Sequence, residues 1–199
     1  EEDQDSLFSW DPDYVEYYTD EYGIKNFLAK ALDTCSQLIS LRKYSTAYPL
    51  LARLAALEFC ICDEFPEYMT LAALEKSGAV RIDFRELMKA LLYSCYQSCD
   101  GRERIDRIYS HISEYNDINI TGILSYGPDE LQGTDEFMTE WRSFLMNRKD
   151  EAACGLLKEA CMYIGGEELL FETAGKKAGD FPELYADYCR MMYDSEQYD

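Results

Sequence analysis

The chain has 199 residues, 47% of them hydrophobic, and a formal net charge of −20. This apolar content is too high for a disordered chain and is sufficient for a sizeable core. Because the charge repels phosphate backbones and anionic membrane surfaces, and no basic stripe is visible, we expect neither a nucleic-acid nor a membrane partner. A basic protein partner is compatible with the charge, and so is the simpler role of keeping the chain soluble.

The two ends of the chain carry most of the negative charge. Residues 1–22 hold nine acidic and no basic side chains, and residues 180–199 hold six acidic side chains against one basic. Residues 1–10 are interpreted as an acidic mobile tail, and Asp11-Pro12 predicts a short helix that ends at Gly23. This tyrosine-rich helix could lie on the core, or it could form an acidic, aromatic patch that contacts a partner.

The next two predicted helices differ in their patterns. Residues 24–41 follow the 3.6-residue period of an amphipathic helix. Residues 48–62 carry only two charges and predict a helix in the middle of a bundle, although the stretch is too short to span a bilayer. Pro49 is tolerated in the first turn of a helix, so we place the start near it, and we place the end before Pro66.

The rest of the chain shows short helical patterns separated by glycine, aspartate or proline. Residues 116–133 form the longest irregular stretch, which is either functional or a boundary between two halves. A short extended run is possible there, but we predict no sheet. The predicted helices are 66–76, one capped by Asp83, 105–115, one capped by Thr134, one capped by Asp150 and ended by Gly165-Gly166, 167–178, and one opened by Asp180 and Pro182.

These patterns predict an all-α fold in which antiparallel helix pairs stack as a repeat-like superhelix or an irregular bundle. We expect one helical domain over residues 11–199, or two halves that meet at the 116–133 loop. The helix-pair spacing, with junctions at Lys43-Tyr44-x-x-Ala47 and Ser195-x-x-Tyr198-Asp199, resembles tetratricopeptide-type helical repeats.

The last sixty residues resemble the divergent helical region of bacterial SWIM-type zinc-finger proteins. The residues that carry this resemblance are Trp141-x-x-Phe144-Leu145, the helix ending in Gly165-Gly166, and Pro182-Glu183-Leu184-Tyr185. Of the SWIM finger itself, only Cys60-Ile61-Cys62 matches the first half, so its metal site is not carried over. The resemblance implies an α-helical superhelix that is used for protein interaction.

Eight cysteines are the first candidates for a metal site. Cys60 and Cys62 point to different sides of a helix, whereas Cys95 and Cys99 share one face and could chelate a metal. Structural zinc takes four ligands, and the chain has one histidine. We therefore interpret the cysteines as reduced, packed thiols, and we expect no metal or other cofactor.

No catalytic constellation is visible either. A nucleophile needs a base, and His111 lies beside Ser110 on a predicted helix, where adjacent side chains do not face each other. The adjacent acids Asp63-Glu64 and Glu167-Glu168 lie at helix termini, where the helix dipole explains them. The glycine-rich loop over residues 122–133 has no lysine or arginine to hold a phosphate. The sequence thus assigns no catalytic, cofactor or metal residue.

We predict a cytoplasmic protein-interaction module or scaffold that binds a peptide or partner protein in a groove of paired helices, and this favours a non-enzymatic role. One alternative is an enzyme or metal protein whose site is assembled from distant residues, with His111 or a cysteine at its centre. Another is a framework whose activity lies elsewhere in a longer chain. The sequence leaves the binding residues, the partner and the oligomeric state open.

Overall fold

A computed structural model describes residues 23–60, 68–113, 115 and 118–194. Within these residues the chain is almost entirely helical, which confirms the predicted all-α fold of packed helix pairs. The predicted helix over residues 11–22 and the junction at 195–199 lie outside the described residues. The elements are α1 (Ile24–Ser40), α2 (Tyr44–Ala55), β1 (Glu58–Cys60), β2 (Tyr68–Thr70), α3 (Leu71–Lys76), α4 (Phe84–Ser98), α5 (Gly101–Ile112), α6 (Ile120–Leu124), α7 (Thr134–Leu145), α8 (Glu151–Lys177) and α9 (Glu183–Asp194).

The centre of the fold is α4. Ten of its 15 residues are buried, because α1, α2, α3, α5 and α6 all pack around it. Its start is fixed by Asp83, whose side chain accepts a hydrogen bond from the Glu86 backbone N–H at 2.9 Å, as the sequence predicts. Residues 90–96 in the middle of α4 are all buried, as expected for a helical stretch that is covered on every side.

The prediction of a central helix over residues 48–62 is wrong at both ends. The helix α2 starts at Tyr44, so Pro49 lies inside it, and it ends at Ala55. Pro49 is exposed, and so is Ser45, whose carbonyl loses its partner. Water can therefore satisfy that carbonyl, which lowers the cost of an internal proline.

The prediction that the chain has no sheet is also wrong. After α2, β1 pairs with β2 in an antiparallel hairpin in which Phe59 lies opposite Met69. The strand β2 also replaces the start of the helix that we predict over residues 66–76, and that helix is reduced to α3. A strand is stabilised by its cross-strand neighbours, so the local apolar pattern did not reveal it.

The 116–133 loop contains the short helix α6. Its Ile120 and Ile123 are buried against the core. The α6 N-terminus is held from a distance by Glu159 of α8, which accepts hydrogen bonds from the backbone N–H groups of Ile120 at 2.9 Å and Thr121 at 2.7 Å. The loop is therefore tied to α8.

The C-terminal helices follow the sequence closely. Asp150 caps α8 by accepting a hydrogen bond from the Ala153 backbone N–H at 3.2 Å, as predicted. The predicted break at Gly165-Gly166 is confirmed, because Gly166 has a φ of 63° and divides α8 at a kink. Thr134, in contrast, is not a cap: Gly133 occupies the cap position, and Thr134 is the first residue of α7.

Candidate functional site

In the N-terminal part of the fold a groove lies between α1 and α2, and we call it the α1–α2 groove. Its volume is about 330 Å³. The lining residues are Phe27, Ala31, Thr34 and Cys35 from α1, and Leu50, Arg53, Leu54 and Leu57 from the end of α2 and the residues after it. On α1 these positions recur at intervals of three, four and seven residues, and on α2 Leu50, Arg53 and Leu54 recur at three and four, so each set forms one stripe along its helix.

The walls of the groove expose apolar side chains that a folded protein ordinarily covers. Phe27 is 61% exposed and Leu50 is 38% exposed, whereas Cys35 and Leu54 beneath them are buried. The two helices pack against each other on the buried side of the groove and diverge on the side that faces solvent. Contiguous exposed apolar surface is a feature of many binding sites, so this groove is the candidate site.

The charged side chain that lines this groove is the basic Arg53, although the chain as a whole is strongly acidic. Residues 24–57 hold five basic side chains and one acidic side chain, Asp33, although the chain as a whole carries −20. Arg42 is already neutralised by Asp129, at 2.7 Å. Arg53 lines the groove. Lys30 follows Phe27 by three residues and therefore shares that side of α1.

A second cluster brings together the residues that the enzyme alternative depends on. The Tyr48 hydroxyl lies 3.1 Å from Nε2 of His111, and the two rings meet edge to face. The Arg107 guanidinium lies 5.5 Å from the centre of the Tyr48 ring. Cys95 and Cys99 are both buried beside this network. The fold thus unites α2, α4 and α5 around a single histidine.

The chemistry of this cluster is that of a packed core. Burial, reinforced by the neighbouring Cys99, raises the pKa of the Cys95 thiol to about 12. Burial also raises the pKa of Tyr48. Since the thiolate is the reactive form of cysteine, Cys95 is a poor nucleophile near neutral pH. Among the described residues, no group of three or more His, Cys, Asp or Glu side chains could hold a metal ion.

The structure does not bring together the other residues that the sequence analysis considered as metal ligands or catalytic groups. Cys60 is exposed on β1, and Cys62, Asp63 and Glu64 lie outside the described residues. Ser110 is exposed and donates its hydroxyl to the Arg107 carbonyl at 2.8 Å. Neither Cys60 nor Ser110 lines the α1–α2 groove.

The acidic pair and the glycine-rich loop also have structural roles. Glu167 and Glu168 follow the Gly166 kink, at the start of the second part of α8. In the 122–133 loop, Gly127 packs against the Tyr93 ring of α4. Both features are explained by helix geometry and packing.

Comparison with known proteins gives no assignment. No family model, no curated protein and no solved structure matches the chain. The resemblance to tetratricopeptide-type repeats therefore stays a prediction. In the part of the chain that the structure describes, no helix has the length and apolar character needed to cross a membrane.

The α1–α2 groove was missed in the sequence because the pattern of α1 identifies an apolar face without saying how much of it is covered. Phe27 belongs to the same 3.6-residue pattern as the buried Leu28 and Cys35. One feature of the sequence does point to the groove, namely the excess of basic side chains in residues 24–57 within a strongly acidic chain.

Proposed function

We propose that this chain is a protein-interaction module whose α1–α2 groove binds an amphipathic segment with apolar and acidic side chains. The observation that carries this proposal is the exposure of Phe27 and Leu50 on facing helices. The resemblance to tetratricopeptide-type repeats, which present paired helices to peptides, supports the same role and remains part of the proposal.

The dimensions of the groove suit a small number of anchor side chains. A volume of about 330 Å³ accommodates two or three apolar side chains rather than a whole domain. Helical peptides commonly present anchors at spacings of three, four and seven residues, and α1 and α2 display matching stripes. Burying one Leu- or Phe-sized anchor contributes about 1.5–3 kcal/mol, so a few anchors suffice for a reversible complex.

The local charge favours an acidic occupant at this position. The net charge of the whole chain would instead attract a basic partner from a distance. At the groove, however, Arg53 lies beside the apolar stripe, and an acidic side chain flanking an apolar anchor would meet it. Lys30 follows Phe27 by one helical turn and would add a second positive charge on the side of α1. Such exposed pairs contribute little to affinity but select the partner and its orientation.

Three designed peptides with one apolar face and a Glu, Gln or Lys polar face would test the proposal. We expect the full chain to bind the Glu peptide most tightly and the Lys peptide most weakly, as measured by fluorescence anisotropy. Raising the salt concentration should narrow the difference because exposed charges are screened. Equal binding of all three peptides would contradict the acidic preference, and no binding of any would contradict the groove itself.

A matched pair of variants would locate the binding surface. Leu50→Asp places a charge in the wall of the groove, and we expect the affinity for the Glu peptide to fall by about tenfold or more. Leu41→Asp introduces the same charge at the end of α1, where Leu41 is 65% exposed and does not line the groove. The Leu41 variant should bind like the unmodified chain.

A further inference from the structure

We propose that a cleft between α5 and α7 is a second binding site, which takes a small organic molecule with one carboxylate and an apolar body. The lining of this α5–α7 cleft includes Arg102 and Ile105 from α5, Glu140 and Phe144 from α7, and Arg148 after α7. Its volume is about 740 Å³, more than twice that of the α1–α2 groove, with which it shares no lining residue. Small-molecule sites typically occupy about 300–1,000 Å³ and combine an apolar lining with a few placed polar groups.

The feature that points to an anion is the Arg148 guanidinium. Among the described residues it forms no ion pair or hydrogen bond with another side chain, although the chain has 39 acidic side chains against 19 basic ones. Asp150, the nearest acid in sequence, is engaged elsewhere: its carboxylate accepts hydrogen bonds from the Tyr109 hydroxyl and from the Ala153 backbone N–H. The guanidinium donors of Arg148 are therefore available to a ligand.

The guanidinium is held in place before a ligand binds. Its central carbon lies over two rings, 4.6 Å from the centre of Tyr109 and 4.5 Å from the centre of Phe144. The Arg148 backbone is also fixed, since its N–H donates to the Leu145 carbonyl at 2.9 Å and its carbonyl accepts from the buried Lys177 ammonium at 3.2 Å. A guanidinium that stacks on rings keeps the N–H groups at its edge for a bidentate pair with a carboxylate. Because the group is already ordered, little side-chain entropy is lost on binding.

The other polar side chains on the α7 side of the cleft are engaged with their own helix. Thr139, Ser143 and Asn147 each donate a hydrogen bond to the carbonyl four residues earlier, at 2.9, 3.0 and 2.8 Å respectively. Such local bonds satisfy the side chains without a ligand. Arg148 is therefore the group on this side that gains most from an anion.

The acidic side chains of the cleft favour a ligand with a single negative charge. Asp106 and Glu140 both line the cleft, and Asp106 pairs with Arg102 at 3.7 Å. A phosphate monoester carries about −1.5 to −2 charges at pH 7, so these acids repel it more strongly than they repel a carboxylate. The apolar part of the lining, Ile105 and Phe144, would contact the body of the ligand. The cleft thus suits a monocarboxylate with an apolar body.

Three probes with the same ring system would test this specificity. We would titrate the full chain with 2-naphthoate, 2-naphthamide and 2-naphthyl phosphate and measure each dissociation constant by isothermal titration calorimetry. We expect 2-naphthoate to bind at least about tenfold more tightly than the amide, because charge-assisted hydrogen bonds are roughly twice as strong as neutral ones. The phosphate should bind more weakly than 2-naphthoate. No binding of 2-naphthoate, equal affinity for the amide, or a tighter complex with the phosphate would overturn the proposal.

Substitutions of Arg148 would locate the bound probe. Arg148→Gln should weaken 2-naphthoate binding by about tenfold or more and leave 2-naphthamide binding nearly unchanged. Arg148→Lys keeps the charge but loses the planar fork, so we expect a smaller loss, and this variant decides the result if the Gln variant does not fold. The control is Arg190→Gln, which removes the same charge from an exposed position on α9 outside the cleft and should bind like the unmodified chain. Equal affinity of the Arg148 variants and the control would refute the site.

One further variant separates this cleft from the α1–α2 groove, which is also apolar and contains Arg53. Leu50→Asp should leave the affinity for 2-naphthoate unchanged, since Leu50 does not line the α5–α7 cleft. Loss of 2-naphthoate binding with Leu50→Asp but not with Arg148→Gln would place the probe in the groove. That outcome would refute the cleft as a carboxylate site and leave the proposed function of the groove intact.

Discussion

The helices α2 and α4 pack against each other and are both rich in apolar residues, yet they are buried to very different extents. On α4, Leu91, Leu92 and Tyr93 have no exposed surface, because helices cover it on several sides. On α2, Leu51 is equally buried, whereas Leu50 beside it is 38% exposed. Apolar composition therefore shows that a helix belongs to the core, but its neighbours decide which faces are covered.

This difference separates structural apolar residues from those that are available for binding. Aromatic contacts cover the side chains of α4. The ring centres of Tyr93 on α4 and Tyr126, for example, lie 5.7 Å apart. The open face of α2 borders a groove and has basic side chains near it. We therefore expect substitutions on α4 to change stability and substitutions on the open face of α2 to change binding.

The largest expected effect comes from truncating a leucine on each helix. Leu91→Ala should lower the free energy of unfolding by about 2–5 kcal/mol, since it removes buried contacts and leaves a cavity. Leu50→Ala should lower it by about 1 kcal/mol or less, because its side chain is already partly solvated. Urea denaturation measures both. Equal losses would show that the α1–α2 groove is as closed as the core.

A pair of glycine substitutions tests how tightly the loop covers α4. A Cβ atom at Gly127 would lie 2.4 Å from the Tyr93 ring, and its φ of 88° is unfavourable for other residues. We expect Gly127→Ala to lower the free energy of unfolding by about 2–4 kcal/mol through both effects.

The control for that substitution is Gly78→Ala. Gly78 has a similar φ of 77°, but nothing lies within 4 Å of the position of its Cβ atom. The expected loss is about 1 kcal/mol, from backbone conformation alone. Denaturation of the two variants thus measures the packing of Gly127 against Tyr93, and identical losses would mean that the loop yields without cost.

The attachment of this loop to the start of α2 should depend on pH. The Asp129 carboxyl accepts hydrogen bonds from Arg42 and Tyr44. Both lower its pKa, and the bond from Arg42 has the larger effect. The stabilisation of the folded state by the ionised Asp129 is therefore complete above the carboxyl's unfolded pKa of about 3.9. It is lost as the pH falls through the lower pKa of the folded state. We expect Asp129→Asn to cost more stability at pH 7 than at pH 3.

Chemical denaturation at the two pH values measures this difference. Asp33→Asn removes the same charge from an exposed position on α1 and serves as the control. A cost of Asp129→Asn that does not change between pH 7 and pH 3 would show that the ion pair with Arg42 contributes nothing in solution.

The smallest perturbation uses the cysteines of the unmodified chain. Because the pKa of Cys95 is raised to about 12, its thiolate fraction at pH 8 is on the order of 10⁻⁴. We expect iodoacetamide to label the exposed Cys60 and Cys189 at least about 100-fold faster than Cys95, as measured by mass spectrometry of the labelled peptides. Fast labelling of Cys95 would reveal opening of α4 and would revive a catalytic role for that thiol.

The sequence by itself determined the all-α class and many helix boundaries, since these depend on local rules. The 3.6-residue period located α1, and Asp83 and Asp150 marked helix starts through side-chain caps that involve residues only three positions away. The break at Gly166 was visible for the same reason. Each of these features is set by interactions within one turn of the chain.

Tertiary structure alone decided the rest, because it depends on contacts between distant residues. The hairpin exists because residues 58–60 find a partner in residues 68–70, and no local pattern reveals that pairing. His111 meets Tyr48 across 63 positions of sequence. The α1–α2 groove likewise arises where two helices diverge: periodicity shows that Phe27 lies on an apolar face, but only the placement of α2 leaves that residue exposed.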